Sequence, residues 1–147
     1  MQEMVPLRVR RVDPSLPLPV YQTAGSVGFD LVVREDTHVE PWEIALVPCN
    51  LIVQVPPGYM LLVTARSSTP RRKGLLVPHG VGVIDQDYCG PEDEIRAQVL
   101  NYTAGPVLVA RGERIAQAIL MPIARAELVE DDELPPESRG GFGSTGG

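Results

Sequence analysis

Gly80-Val81-Gly82-Val83-Ile84-Asp85-Gln86-Asp87-Tyr88-Cys89-Gly90 sets a short apolar, strand-like run directly against two carboxylates, an aromatic ring and a glycine. The apolar residues supply packing. Asp85 can accept a proton or orient water, and Tyr88 offers a flat wall three residues later. Gly80, Gly82 and Gly90 remove side chains where something else needs to approach the backbone. Taken alone, the same pattern fits a plain strand that ends in an Asp-rich turn. The rest of the chain has to decide between the two.

Strand-length runs lie on both sides. Residues 59–65 and 75–77 precede the stretch, and residues 95–102, 107–110 and 114–121 follow it. Further upstream, residues 4–12, 37–40, 44–47 and 51–55 read the same way. Pro41-Trp42-Glu43, Pro48-Cys49-Asn50 and Pro56-Pro57-Gly58 separate these runs as turns. Leu16-Pro17-Leu18-Pro19 is an extended connector, and residues 23–30 read as a loop feeding a β-branched run to Val33. Many short strands without one long amphipathic helix predict an all-β sandwich or barrel. At 147 residues the chain is one domain that can bury a core, and with aromatics at 5% that core is built from Val, Leu, Ile and Ala.

The net charge of −6 gives no basis for electrostatic binding to nucleic acid or to an anionic membrane. No run approaches the roughly 18 to 20 apolar residues of a membrane span. The first residues lack the order of a secretory signal. Cys49 and Cys89 have no CxxC spacing, so the expected compartment is reducing and cytoplasmic. His38 reads as a surface or hydrogen-bonded side chain, while His79 stays open between that role and a site role.

Two segments break the strand pattern. Arg66-Ser67-Ser68-Thr69-Pro70-Arg71-Arg72-Lys73-Gly74 packs four cations and three hydroxyls into nine residues. It reads either as a solvated basic loop or as a phosphate-holding turn, with one helical turn capped by Ser or Thr. From Glu127 the composition becomes acidic, with Pro135-Pro136 inside it, and delivers Ser138-Arg139-Gly140-Gly141-Phe142-Gly143-Ser144-Thr145-Gly146-Gly147. Such a tail is either inert or a wrap for phosphates with a ring that stacks on a base. This divides the chain into a β-rich core, residues 1–128, and an acidic linker with a Gly-rich arm, residues 129–147. In residues 114–121, Gln117 is a lone amide in an apolar strand and needs a partner there.

Five segments in order resemble the motifs of the trimeric dUTPase family, a relative of the dCTP deaminases. They are Ala24-Gly25-Ser26-Val27-Gly28-Phe29-Asp30-Leu31, Arg66-Ser67-Ser68, residues 82–90 of the opening stretch, Arg111-Gly112-Glu113-Arg114-Ile115-Ala116-Gln117, and Gly140-Gly141-Phe142-Gly143-Ser144-Thr145-Gly146. The resemblance implies a distorted jelly-roll (β-clip) subunit with at most one short helix. It also implies a homotrimer with active sites between subunits, closed by the C-terminal arm. The implied reaction is Mg²⁺-dependent hydrolysis of dUTP to dUMP and pyrophosphate, limiting uracil incorporation into DNA and supplying dUMP for dTMP synthesis.

Residue by residue, the resemblance implies that Asp85 activates the water that attacks the α-phosphorus, and that Tyr88 packs under the deoxyribose. His79 and the backbone of Gly82, Val83 and Ile84 line the uracil edge. Arg66, Ser67, Ser68 and Gln117 hold phosphates. Phe142 stacks on the base, while Arg139, Gly143, Ser144 and Thr145 grip the outer phosphates. Asp30 supports the metal indirectly, through water.

Two departures stand out. Arg66-Ser67-Ser68 replaces the usual Arg-Ser-Gly, and the turn after Gly90 is about three residues longer than usual. The rival readings are a dCTP deaminase, a bifunctional deaminase and dUTPase, and a non-catalytic trimeric binding module. Deamination needs a general acid/base beside the base; in the deaminase family a Glu on the strand after the hairpin supplies it, and the position that resembles it here is Gln98.

Overall fold

In a computed structural model the structure describes residues 3–146. Residues 1, 2 and 147, at the outer ends of the expected core and arm, lie outside the described residues. In chain order the strands are β1 (Arg8–Arg11), β2 (Phe29–Asp30), β3 (Thr37–Val39), β4 (Ile44–Pro48), β5 (Leu51–Gln54) and β6 (Tyr59–Ala65). The only helix among the described residues, α1 (Thr69–Lys73), comes next. Then follow β7 (Leu75–Leu76), β8 (Gly82–Ile84), β9 (Arg96–Asn101), β10 (Val107–Val109) and β11 (Ala116–Pro122). The fold is all-β, as expected.

The strands form short antiparallel sheets: β1 with β5, β3 with β10, β4-β9-β7, and the four-stranded β2-β11-β6-β8. This is a distorted jelly roll. Its centre is filled by Leu31, Val33, Val39, Val47, Leu51, Val53, Leu61, Leu75, Ile95, Val99 and Val109, all buried. Phe29 and Tyr59 pack only against the edge of that cluster. Burying each aliphatic side chain contributes about 1.5–3 kcal/mol, an upper bound because unfolded chains are already partly compact.

Three local expectations change. The strand expected over residues 4–12 shrinks to β1, because Pro6 has no N–H to give and the Asp13 N–H turns away to Asn50 Oδ1. The run expected to reach Val33 is a strand only at Phe29–Asp30. Leu31 and Val33 still donate to the Ala116 and Glu113 carbonyls, but Glu113 belongs to a turn closed by its own N–H on Ala110 O. The segment after Gly90 is not simply an exposed acidic turn. It delivers Glu94 into the interior, 5% exposed.

Candidate active site

The four-stranded sheet gathers three of the five motifs in register. Gln117 on β11 stands opposite Asp30 on β2 and opposite Thr64 on β6. Arg66-Ser67-Ser68 leaves the end of β6 immediately beyond that row. The Gln117 amide, half-buried, donates from Nε2 to the Ala65 carbonyl at 3.2 Å, which supplies the partner that a lone amide needs. Gly28 makes room for it. A Cβ on Gly28 would stand 2.6 Å from Gln117 Oε1.

The Asp30 carboxylate faces two guanidinium groups, Arg66 Nε at 3.2 Å and the Arg114 head at 3.7 Å. Arg66 also donates to the Arg114 carbonyl at 3.0 Å. Asp30 therefore aims the cation that leads the basic loop. After it, Ser67 is exposed, and Ser68 takes the N-cap position of α1 in a helical conformation with no side-chain cap hydrogen bond. The expected Ser or Thr cap is thus not made. The Thr69 hydroxyl is instead buried on the Ile115 carbonyl at 2.7 Å. Its use there follows from burial, which a polar group tolerates only when bonded. Ser67 and Ser68 keep their hydroxyls for another acceptor.

The hairpin hangs on the other edge of β6. Gly82 pairs with Val63, Val83 with Leu62 and Ile84 with Leu61. Val83 points outward, 57% exposed. Ahead of the strand, Gly80 adopts φ +80, the left-handed conformation a glycine accepts without strain, and its carbonyl takes the Thr64 hydroxyl. His79 is exposed on that loop. Past β8 the chain turns at Asp85, where the Tyr88 N–H returns to the Asp85 carbonyl at 3.4 Å. Gln86 pins the turn by donating to Tyr59 O at 3.1 Å. Asp85 and Asp87 are left exposed beside a cleft of about 560 Å³. Tyr88 is half-buried and donates its hydroxyl to the Glu94 carbonyl at 3.1 Å.

Within one chain these parts do not converge. Asp85 follows the β8 residue that pairs with Leu61, near the start of β6, whereas Arg66 follows its end. Six strand residues at ~3.3 Å each separate the two by roughly 20 Å. The arm also stays apart. Arg139, Gly143, Ser144 and Thr145 are exposed, and Phe142 lies open to solvent at φ 51. Among the described residues no group of three or more His, Cys, Asp or Glu is arranged to hold a metal ion.

Some residues near the site carried no signal that would have singled them out. Arg125 lines the same cleft as Asp85 and Asp87, because the Ile123 N–H on Gly58 O holds the chain against the sheet after β11. Arg111, in the fourth motif, is taken up by contacts outside the row of Asp30 and Gln117. It bonds Asp13 Oδ2 at 2.8 Å, the Arg34 carbonyl at 2.9 Å and Ser15 Oγ at 2.9 Å. The two Ser15 hydrogen bonds, more than Arg111, lower the Asp13 carboxyl to about 2.

The profile of the dUTPase family matches residues 15–146. The deoxyuridine 5'-triphosphate nucleotidohydrolase of Thermobifida fusca (strain YX) is 43% identical over 146 residues, which is 97% of this chain and 80% of that protein. The crystal structure of dUTPase from Streptococcus mutans shares 35% identity and superposes with a TM-score of 0.75, over 81% of this chain and 98% of that one. The Staphylococcus bacteriophage 80alpha dUTPase with dUPNHPP superposes with a TM-score of 0.85 at 25% identity, over 97% of this chain and 99% of that one.

Proposed function

The chain belongs to the dUTPase family, and from that premise we propose that it hydrolyses dUTP to dUMP and pyrophosphate at sites shared between copies of itself. The observation that carries the shared site is the placement of Asp85 and Arg66 at opposite ends of β6. One chain supplies the hairpin and another the row of Asp30, Gln117 and the Arg66-Ser67-Ser68 turn. Closed assemblies of identical chains use such head-to-tail contacts in rings, and a homotrimer is the ring we propose. The apolar side chains of Ile44, Leu46 and Leu76, exposed on the β4-β9-β7 sheet, suit an associating chain. Residues 1–128 act as the core. Residues 129–147 act as linker and arm, bringing Phe142 onto the base and Arg139, Gly143, Ser144 and Thr145 onto the outer phosphates.

The uracil lies along the β8 backbone, at Gly82, Val83 and Ile84, with His79 beside it. Tyr88 stands under the deoxyribose, where a 2′-hydroxyl would have no room. The Asp85 carboxylate holds a water and takes its proton as the water oxygen bonds to the α-phosphorus. The bond from that phosphorus to the bridging oxygen breaks, and pyrophosphate leaves. Arg66, Ser67, Ser68 and Gln117 hold the phosphate oxygens as negative charge shifts to the leaving group.

Both Asp30 oxygens are committed to guanidinium groups. That donor set fits an Mg²⁺ carried on the substrate's phosphates and water, with Asp30 acting on that region through Arg66. Such an ion would neutralise phosphate charge during attack. Among the described residues no helix is long and apolar enough to cross a membrane. The free thiols of Cys49 and Cys89 suit the cytoplasm.

The test is to incubate the purified protein with Mg²⁺ and either dUTP or dCTP and to resolve the products. dUMP from dUTP alone is expected. Any deaminated product from dCTP would overturn the reading in favour of a deaminase, despite Gln98 on β9. Turnover of neither would favour a binding module.

A further inference from the structure

Glu94 is a buried carboxylate that the proposed chemistry does not use. It is held on three sides. Arg34 donates from Nε at 2.7 Å and from its terminal nitrogen at 3.0 Å, and the Asn50 N–H donates at 2.9 Å. A buried charge keeps its place only when it is paired and hydrogen-bonded in this way. The Glu94 contact raises the Arg34 pKa, so the guanidinium stays charged. Arg34 is itself fixed. Its N–H donates to Pro48 O at 2.9 Å, and its carbonyl takes the Arg111 guanidinium.

The backbone around Glu94 is equally constrained. Gly90 and Asp93 close the preceding turn on each other, through the Gly90 N–H on Asp93 Oδ2 and the Asp93 N–H on Gly90 O. The next residue, Ile95, donates to Leu51 O and accepts from the Cys49 N–H. The carbonyl of Glu94 is therefore a fixed acceptor, and its occupant is the Tyr88 hydroxyl at 3.1 Å. The other bond near the ring, the Tyr88 N–H to Asp85 O at 3.4 Å, is long and weak.

We propose that Arg34 and Glu94 are a positioning pair for the sugar wall. Glu94, clamped by Arg34, holds the Tyr88 ring through its hydroxyl and so sets the discrimination between deoxyribose and ribose. The proposal rests on the dUTP reading above. It makes the longer turn after Gly90 the device that brings Glu94 to both Arg34 and Tyr88. Neither Arg34 nor Glu94 touches the substrate.

The test compares dUTP and UTP in steady-state hydrolysis by full-length protein, for wild type, Arg34→Met, Glu94→Gln, Tyr88→Phe and each clamp change combined with Tyr88→Phe. Arg34→Met and Glu94→Gln are expected to lower the ratio of kcat/KM for dUTP over UTP by about tenfold, the scale of one lost hydrogen bond. The loss should fall on KM more than on kcat. In the Tyr88→Phe background the same changes should add nothing, because the hydroxyl that couples them is already gone. Arg34→Lys keeps a cation and should recover part of the discrimination. It also tests the clamp if the Met variant does not fold.

An unchanged ratio in the clamp variants, or an equal further loss on top of Tyr88→Phe, overturns the proposal, since a merely structural staple behaves that way. A wild type that hydrolyses dUTP and UTP alike also overturns it. A wild type that hydrolyses neither defeats the dUTP reading instead.

Discussion

Asp85 and Arg66 lie at opposite ends of β6, roughly 20 Å apart along the strand, although both belong to the set proposed to act on one triphosphate. The separation makes a prediction about mixtures. Asp85→Asn and Arg66→Met should each abolish turnover when assembled alone. Co-refolded at equal amounts, random mixing puts an intact Asp85 from one chain against an intact Arg66 from another in about a quarter of the sites. Activity should therefore return in the mixture to about that share of wild type. Pyrophosphate release measured on the mixture checks it, and a mixture as dead as its parents would place both groups in one chain.

Gly28 and Gln117 make a second case. The methyl group of Gly28→Ala would meet Gln117 Oε1 at 2.6 Å and Ile119 Cγ1 at 3.2 Å. The amide is the movable end of its side chain, so the fold loses little and Tm should hardly change. The bond from Nε2 to Ala65 O is expected to break, and Gln117 then leaves the row proposed to hold phosphate. A loss of about tenfold in kcat/KM for dUTP is expected, the scale of one phosphate contact. Steady-state kinetics beside a thermal melt would separate the two effects.

The all-β class was legible because apolar alternation and proline-marked turns recur along the chain, and ten of the strands fall on expected runs. Asp85, Tyr88 and Gln117 stood out because each is a polar or aromatic group set against an apolar strand. What stayed hidden depends on tertiary placement. Glu94 looks like the rest of an acidic turn until its partner Arg34 is seen 60 residues away. Arg111 stands in the fourth motif with no partner visible in the sequence, yet its guanidinium is taken by Asp13 and Ser15. Arg125 reaches the Asp85 cleft only because a backbone bond to Gly58 turns the chain there.

The two thiols should behave differently. Cys49 is buried and its thiol is pushed up to about 12 by loss of hydration, whereas Cys89 is partly exposed. A disulfide reagent at pH 8 is expected to titrate one thiol in the folded protein and both after denaturation. The raised value also sets a sign. Between about 9 and about 12 the unfolded chain releases a proton that folded Cys49 keeps, so this group's contribution to stability is full below pH 9.0 and is lost as pH rises through that window. Two fast-reacting thiols in the native protein would refute the burial.

Asp13 shows the opposite sign. Its carboxyl is lowered from 3.8 to about 2, first by the Ser15 hydroxyl, then by the Ser15 N–H, then by Arg111. A depressed acid contributes stability above its unfolded value, and the contribution is lost as pH falls through the folded one. The contacts of Asp13 should therefore persist to about pH 2 in the folded chain. Carboxyl chemical shifts followed by NMR should show that midpoint. Ser15→Ala and Arg111→Met are each expected to raise it, and a midpoint that neither change moves would refute these contacts as the cause.

The arm carries the last prediction. Residues 124–140 are exposed throughout, and Phe142 is fully exposed, with no packing partner among the described residues. An aromatic side chain left fully in water gives up the burial that normally holds it, and in the function proposed above a stacked base supplies that burial. Among the described residues of 139–147 none belongs to the buried core, and on deleting this segment the assembled size should stay that of wild type by light scattering. Turnover of dUTP should fall by at least about a hundredfold, because the outer phosphates lose Arg139, Ser144 and Thr145 while the site stays open to water. Phe142→Ala alone should act more mildly, mainly on KM, since one stacked base contributes about 1–3 kcal/mol. If the truncated protein turns over dUTP at the wild-type rate, the arm takes no part in the reaction and the site is complete without it.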